Sequence, residues 1–221
     1  MEKTIKVTGK GTVFVKPDLI RLSMKLEGVC EKYEEALRQS SEQTEQLKLC
    51  FEKVGFLKAD LKTLSFHINT EYENYRDKKN EWKKKFAGYK FIHEMKIEFE
   101  ADNQLLGKVL YAMSHCQAKP EFQITYTIKN EEDAKNMLLK RAVEDSKKKA
   151  KILAEAAEIT LGNIICIDYS WEEIHFASSP VNRMAVPYAA MQEECGIGYD
   201  INIQPDTIEV SDTVTIIWEI E

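Results

Sequence analysis

Residues 130–161 read NEEDAKNMLLKRAVEDSKKKAKILAEAAEITL, and this stretch decides the fold. It holds no Gly and no Pro, and its commonest residues, Ala, Leu, Lys and Glu, are all good helix formers. Asn130 is placed to cap the first turn, with Asp133 three residues on. Glu131, Glu132 and Asp133 suit the positive end of the helix dipole. Gly162 stands where a left-handed residue would end the helix. The spacing predicts one helix of about 46 Å at 1.5 Å per residue. Leu138, Ala142, Ser146, Ala150 and Ala154 follow one another at a spacing of four, with Leu139, Val143, Leu153 and Ala157 beside them. Lys140, Lys147, Lys148, Lys149 and Lys151 take the other side. Small residues in a row let a neighbouring backbone come close, so the expected structure is a long strut laid on a sheet.

The segments around the strut read as strands and shorter helices. Residues 4–16 alternate, with Ile5, Val7, Gly9, Gly11, Val13 and Val15 on one face, and the glycines predict a bend or bulge. Pro17-Asp18 is a turn, and Ile20, Leu22, Met24 and Leu26 mark a second strand. Residues 31–54 predict a helix with a stripe through Tyr33, Ala36, Leu37, Ser40, Thr44, Leu47, Phe51 and Val54, ended by Gly55. A strand over 61–75 follows, then a polar tip, RDKKNEWKKK, over 76–85. Residues 86–101 alternate cleanly, with Tyr89, Phe91, His93, Met95, Ile97 and Phe99 on one face, as in an antiparallel sheet with one wet side. Asp102 caps a short helix, and strands are expected over 121–129, 164–171 and 208–220. Asp212 is the one charged residue in the apolar row of the last of these. The fold class is therefore α+β, a mostly antiparallel sheet of long strands with helices packed on one face. Its order is ββαββαβαββ, and the inner βαββαβ spells a ferredoxin-like unit. Strand 1 pairs naturally with the C-terminal strand, which argues for one domain over 1–221.

Composition narrows the function. The 221 residues are 43% hydrophobic and 31% charged, as in a folded globular chain. A net charge of −6 argues against a general nucleic-acid binder, and no apolar run has the length of a membrane span. The opening MEKTIKVTGKG has no apolar leader core. Cys30, Cys50, Cys116, Cys166 and Cys195 are scattered and odd in number, which reads as reduced thiols and a cytoplasmic protein.

Four blocks carry a family resemblance. The opening IKVTGKGTVFVKPDLIRLSMKL resembles the V-x-G-x-G…PD start of the SIMPL-domain family, a domain of unknown function. GYKFIHEMKIEFEADNQLLGKVL resembles its middle strand–helix unit, and AVEDSKKKAKILAEAAEITLGNIICIDYS its long helix and following strand. IQPDTIEVSDTVTIIWEI is similar to its closing strand. The resemblance implies an α+β fold and homo-oligomers. Periplasmic members look like ring or channel-like assemblies with links to oxidative stress, and a vertebrate member is an adaptor for a pelle-like kinase. It carries no catalytic residues to this chain.

The residues themselves offer few sites. His67, His93, His115 and His175 have no metal-ligand spacing on their elements, and His93 sits in an apolar row, where a hydrogen-bonded core histidine is expected. Gly9-Lys10-Gly11 precedes no helix, so it is not a phosphate loop. Cys166 lies among isoleucines and reads as packing. No catalytic group, cofactor or metal is expected. The basic tip Arg76, Lys78, Lys79, Lys83, Lys84 and Lys85 around Trp82 could hold nucleic acid or acidic lipid, but as a solvated hairpin tip it needs no ligand. The loop 177–207 is long, and Val181, Met184, Val186, Tyr188 and Met191 are too apolar for solvent, so it is expected to dock on a second copy. The leading expectation is a non-enzymatic, self-assembling protein that presents surfaces to protein partners. The alternatives are an enzyme or small-molecule binder with a pocket between the sheet and loop 177–207, and a nucleic-acid or membrane binder acting through the tip.

Overall fold

The computed structural model describes residues 3–169, 174–178 and 203–221. The elements are β1 (Thr4–Val15), β2 (Leu19–Cys30), α1 (Tyr33–Glu52), a 3-10 turn (Lys58–Asp60), β3 (Lys62–Arg76) and β4 (Trp82–Glu100). They continue with α2 (Asn103–Ser114), β5 (Glu121–Thr127), α3 (Glu131–Ala156), β6 (Leu161–Asp168), β7 (Ala177–Ser178) and β8 (Ile208–Ile220). The α+β class, the antiparallel pairing and the element order agree with the sequence reading, save for the added two-residue β7. The expectation of a single sheet does not hold. One sheet runs β1-β8-β6, and in the other the strands β3-β4-β2-β5 lie side by side. The backbone around Pro17 does not turn back as a hairpin. Asp18 N–H donates to Thr127 O at 3.1 Å, and Lys129 N–H donates to Asp18 Oδ1 at 2.7 Å. The Asp18 N–H is thus bonded outside the β1–β2 connection.

Contacts within the chain gather into two compact units. The first holds Met1–Asp18, Thr127–Ser178 and Pro205–Glu221, and the second Leu19–Tyr126 and Ser179–Gln204.

In the first unit, β1 pairs antiparallel with β8 along its whole length, from Thr4 opposite Glu219 to Val15 opposite Ile208. The register is unbroken through Gly9 and Gly11, so the bend or bulge expected there is absent. The glycines serve the strut instead. A Cβ on Gly9 would lie 2.0 Å from Ala142 O, and one on Gly11 2.1 Å from Leu138 O. Helix α3 rests directly on the β1 backbone, and its buried row is Ala134, Leu138, Ala142, Ser146, Ala150 and Ala154. Leu153, expected beside that row, is 48% exposed. The helix also bonds the edge strand it covers. Ser146 Oγ donates to Val7 O at 3.0 Å, Lys10 N–H donates to Asp145 Oδ2 at 2.8 Å, and the Arg141 guanidinium donates to Thr12 O. Backbone groups that an open edge would offer to another strand are thus occupied.

The ends of α3 divide between expectation and correction. Asn130 Oδ1 accepts from Asp133 N–H at 3.2 Å, as the cap requires. The far end closes at Ala156, short of Gly162, which lies in β6. Ile159 N–H reaches Ala154 O at 3.0 Å and Glu158 N–H reaches Glu155 O at 3.2 Å, a Schellman closure with Glu158 at φ 55°. A side chain in that left-handed region costs about 1–2 kcal/mol. Glu158→Gly is expected to raise stability by ~1 kcal/mol, read as a higher denaturant midpoint at unchanged slope. Asp212 is explained too: the Tyr169 hydroxyl donates to its Oδ2 at 2.9 Å and Thr213 N–H to its Oδ1 at 2.7 Å.

In the second unit, α1 and α2 cover one face of the sheet. Ile20, Leu22, Met24 and Leu26 of β2 and Phe91, Met95, Ile97 and Phe99 of β4 point at them, against Ala36, Leu47 and Phe51 of α1 and Leu106, Val109 and Met113 of α2. Tyr33 and Leu37, placed in the α1 stripe by their spacing, are 50% and 41% exposed. Gly55, at φ 107°, ends α1 as expected. Asp102 Oδ1 caps α2 by accepting from Gln104 N–H at 2.8 Å.

Candidate functional site

The most distinctive surface of the second unit is the far end of β3 and β4. β2 pairs with β4 only as far as Cys30 opposite Tyr89. From Gly88 to Trp82, β4 has β3 as its one strand partner among the described residues, so the two strands run on as a ribbon. The tip expected over 76–85 is mostly strand: Trp82 to Lys85 pair with Arg76 to Glu73, and only residues 77–81 turn. The register slips between Glu71 and Tyr72, and Gly88 opposite Glu71 takes φ 143°. A Cβ there would sit 2.4 Å from Cys30 O, so glycine is required where the ribbon leaves the sheet.

Aromatic side chains line this ribbon. Tyr72 stacks edge-on against Phe86, Phe86 against Tyr89, and Tyr89 against Tyr33 of α1, with ring centroids 5.9, 5.3 and 5.6 Å apart. Tyr72 is 53% exposed, Phe86 43% and Trp82 67%. The sequence reading marks Trp82 and places Tyr72 in its strand row, but does not single out Tyr75 and Phe86, which fall out of phase with the apolar rows of their strands. Their signal was length: the 86–101 strand and the tip together outrun β2.

The basic residues expected at the tip are not all free to bind. The Arg76 guanidinium lies 4.8 Å over the Trp82 ring and donates to Asn80 Oδ1 at 3.1 Å. Lys83 Nζ is 2.5 Å from Asp77 Oδ2. The Lys83 hydrogen bond, helped by the Glu81 and Lys79 amides, holds the Asp77 carboxyl below its ordinary pKa. Trp82, the aromatic that a nucleic-acid base would stack on, is covered on one face by Arg76. Lys78, Lys79, Lys84 and Lys85 remain at the surface.

A second feature is the niche of about 320 Å³ lined by Leu37, Ser40, Thr44, Lys48, Phe66 and His93. His93 is 9% exposed, with Thr44 Oγ1 3.0 Å from Nδ1 and Thr63 Oγ1 2.9 Å from Nε2. Thr44 spends its hydroxyl proton on Ser40 O at 2.7 Å, so it accepts from Nδ1–H. Thr63 then donates to Nε2. Both ring nitrogens are satisfied by a neutral imidazole, as expected for a histidine in that row. Burial, and then the charge of Lys48, push its pKa down. Below about pH 6.5 the unfolded chain takes up a proton that folded His93 refuses, so stability falls as pH drops from there towards the folded pKa. The gap between the denaturant midpoints of wild type and His93→Gln should be constant above about pH 6.5 and change below it, with the wild type losing more on acidification.

The face of the same sheet away from the helices is an ion-paired ladder. Arg21 and Lys96 both bond Glu98 Oε1, at 2.6 and 3.0 Å, while Lys25 and Lys90 both bond Glu27 Oε2, at 2.8 and 3.2 Å. Burial pushes the Glu98 carboxyl up, but bonds from Arg21 and Lys96 together carry it below its ordinary value. An open cleft of about 480 Å³ lies on this side, lined by Ser23, Lys25, Glu94, Glu121, Phe122 and Gln123. Among the described residues, no three His, Cys, Asp or Glu side chains gather as a metal would need. The arm residues Val181, Met184, Val186, Tyr188 and Met191, and most of the loop 177–207 that was expected to cover a pocket, lie outside the described residues.

The fold and this surface define an α+β protein built on two antiparallel sheets, with helices on their faces and one long aromatic hairpin. The chain belongs to the SIMPL family, described as a protein of unknown function (DUF541), whose match covers residues 5–218. It is also similar to the 26 kDa periplasmic immunogenic proteins of Brucella melitensis biotype 1 and Brucella abortus, at 26% identity over 162 residues. That alignment takes in 73% of this chain and spans 64% of the length of those relatives. The cytoplasmic expectation is corrected by their name: these relatives are periplasmic proteins. Thiol number and domain composition follow from packing, and neither records the compartment in which a domain folds.

Proposed function

We propose that this protein is a non-enzymatic, self-assembling SIMPL protein that presents surfaces to protein partners, and that the β3–β4 ribbon is its assembly element. The periplasmic name of its relatives supports a periplasmic setting. The observation that carries the reading is the ribbon itself. A two-stranded ribbon is marginal in water by itself, and a contiguous row of half-exposed aromatics gains most when another surface buries it. Charge selects a second copy as that surface. Residues 76–85 hold six basic and two acidic side chains, whereas the whole chain carries −6. The tip is therefore opposite in sign to the remainder of its own chain, and copies complement one another tip to body.

Light scattering coupled to size exclusion tests this. The wild type is expected to elute with a mass several times its 25.5 kDa subunit. A variant combining Tyr72→Ser and Phe86→Ser with Lys83, Lys84 and Lys85→Glu should elute as a folded monomer with unchanged far-ultraviolet dichroism. A wild type that is monomeric at micromolar concentration, or a variant that keeps the parent mass, removes the ribbon from assembly.

A further inference from the structure

We propose that the β3–β4 ribbon of one copy docks on the first unit of a second copy, along the strip where β6 runs beside α3. The inference rests on the reading of the ribbon as the assembly element and supplies the surface that receives it. The strip follows from the seat of α3. On one flank of the helix Arg141, Asp145 and Lys149 bond the β1 backbone. Leu139, Ser146 and Leu153 recur every seven residues on the other flank and so share a face. Leu139 packs against Val214, Ile216 and Trp218 of β8, and Ser146 is buried, but Leu153 stays half-exposed. On β6, Ile164 stands opposite Trp218 and Ile167 opposite Ile216. Opposite residues of paired strands point to the same face, so both isoleucines look to the side on which α3 lies. Their partners on β8 are buried, while Ile164 and Ile167 are half-exposed. Geometry gives the reason. A helix about 5 Å in radius with its side chains, seated over β1, does not cover a strand two places away, at about 10 Å.

Charge selects the occupant. Of the chain's 37 acidic and 31 basic side chains, 17 and 12 fall in the first unit, so nearly all of the acidic excess lies there. The strip runs from Ile167 through Ile164 to the end of α3. Glu155 and Glu158 are exposed at that end, and the last turn of the helix holds no basic residue. The helix dipole adds its negative pole at the same place. The ribbon carries the matching chemistry in the matching order. Tyr72 and Phe86 stand on its stem, and Lys84, Lys85, Lys78 and Lys79 follow towards its turn. Aromatic rings laid on Leu153, Ile164 and Ile167 bury apolar surface on both copies, and the lysines then meet Glu155 and Glu158. The two copies contribute different surfaces, so the contact is head to tail.

Mixing two full-length variants tests the contact by light scattering. A strip variant combining Leu153→Ser, Ile164→Ser and Ile167→Ser should elute as a monomer with unchanged far-ultraviolet dichroism. Mixed in equal amounts with the ribbon variant described above, it should form a dimer of one copy of each. The intact ribbon of the strip variant then sits on the intact strip of the ribbon variant, and neither protein alone can make that contact. Should the strip variant fail to fold, Glu155→Lys combined with Glu158→Lys, both at exposed positions, decides instead by the same lowered mass. A folded strip or charge variant that keeps the parent mass, while the ribbon variant is monomeric, overturns the docking surface and leaves the ribbon as the assembly element. Two monomeric variants that stay monomeric when mixed overturn it as well, because a ribbon that meets another ribbon gives that result. A monomeric wild type removes the assembly reading and this inference together.

Discussion

Gly9→Ala should cost ~3 kcal/mol or more of stability, at the upper end of what overpacking does. The added carbon would stand 2.0 Å from Ala142 O and 2.4 Å from Ser146 N. Both are backbone atoms in the middle of α3, so no side-chain rotation relieves the clash. Either the 26-residue helix lifts from β1 or β1 shifts against β8, and each breaks bonds elsewhere. Lifting α3 breaks the bonds from Ser146 to Val7 O and from Lys10 N–H to Asp145. It also opens the cluster of Val7, Ala142, Ala150, Val214, Ile216 and Trp218. Gly11→Ala should behave alike, with Leu138 O 2.1 Å from the new carbon. Lys148→Ala, on the exposed side of the same helix, should change stability by less than about 0.5 kcal/mol. The comparison is read from urea midpoints. Equal midpoints for Gly9→Ala and Lys148→Ala would mean that α3 does not lie on this strand.

Phe91→Ala should cost ~3–5 kcal/mol, the usual range for removing a fully buried phenylalanine. Phe91 is 0% exposed and sits opposite Gly28 in the β2–β4 register. Its ring folds across that glycine: a Cβ on Gly28 would fall 2.6 Å from Phe91 Cε1. With no side chain at position 28, nothing on the facing strand can swing in to fill the space, so the cavity persists. Leu64→Ala, at a position 54% exposed, should cost under about 1 kcal/mol. A Phe91 variant as mild as the Leu64 one would show that this core collapses around the missing ring.

The two variants probe different units, Gly9→Ala the first and Phe91→Ala the second. Assembly is assigned to the ribbon of β3 and β4, which belongs to the second unit.

The sequence by itself determined the elements. Alternation at period two placed β1, β2, β4 and β8, and β8 ran over the expected 208–220. Spacing of four in α3 named its buried row, and Asn130, Asp102 and Gly55 marked three helix ends correctly. These signals are local: a side chain's face and a cap's partner depend on residues a few positions away. Only the tertiary structure decided the partners. It drew β1 to β8 and β6 and left β2 with β4, giving two sheets where alternation suggests one. It turned Gly9 and Gly11 from a bend into a seat for α3, gave Asp212 the Tyr169 hydroxyl, and put a glutamate where the helix-stop rule asks for glycine. It also left Tyr72 and Phe86 half-exposed on a ribbon. Hydrophobic pattern states that a face is to be buried but is indifferent to what buries it. That choice is made by shape and hydrogen bonding between segments distant in sequence, where single-chain periodicity carries no information.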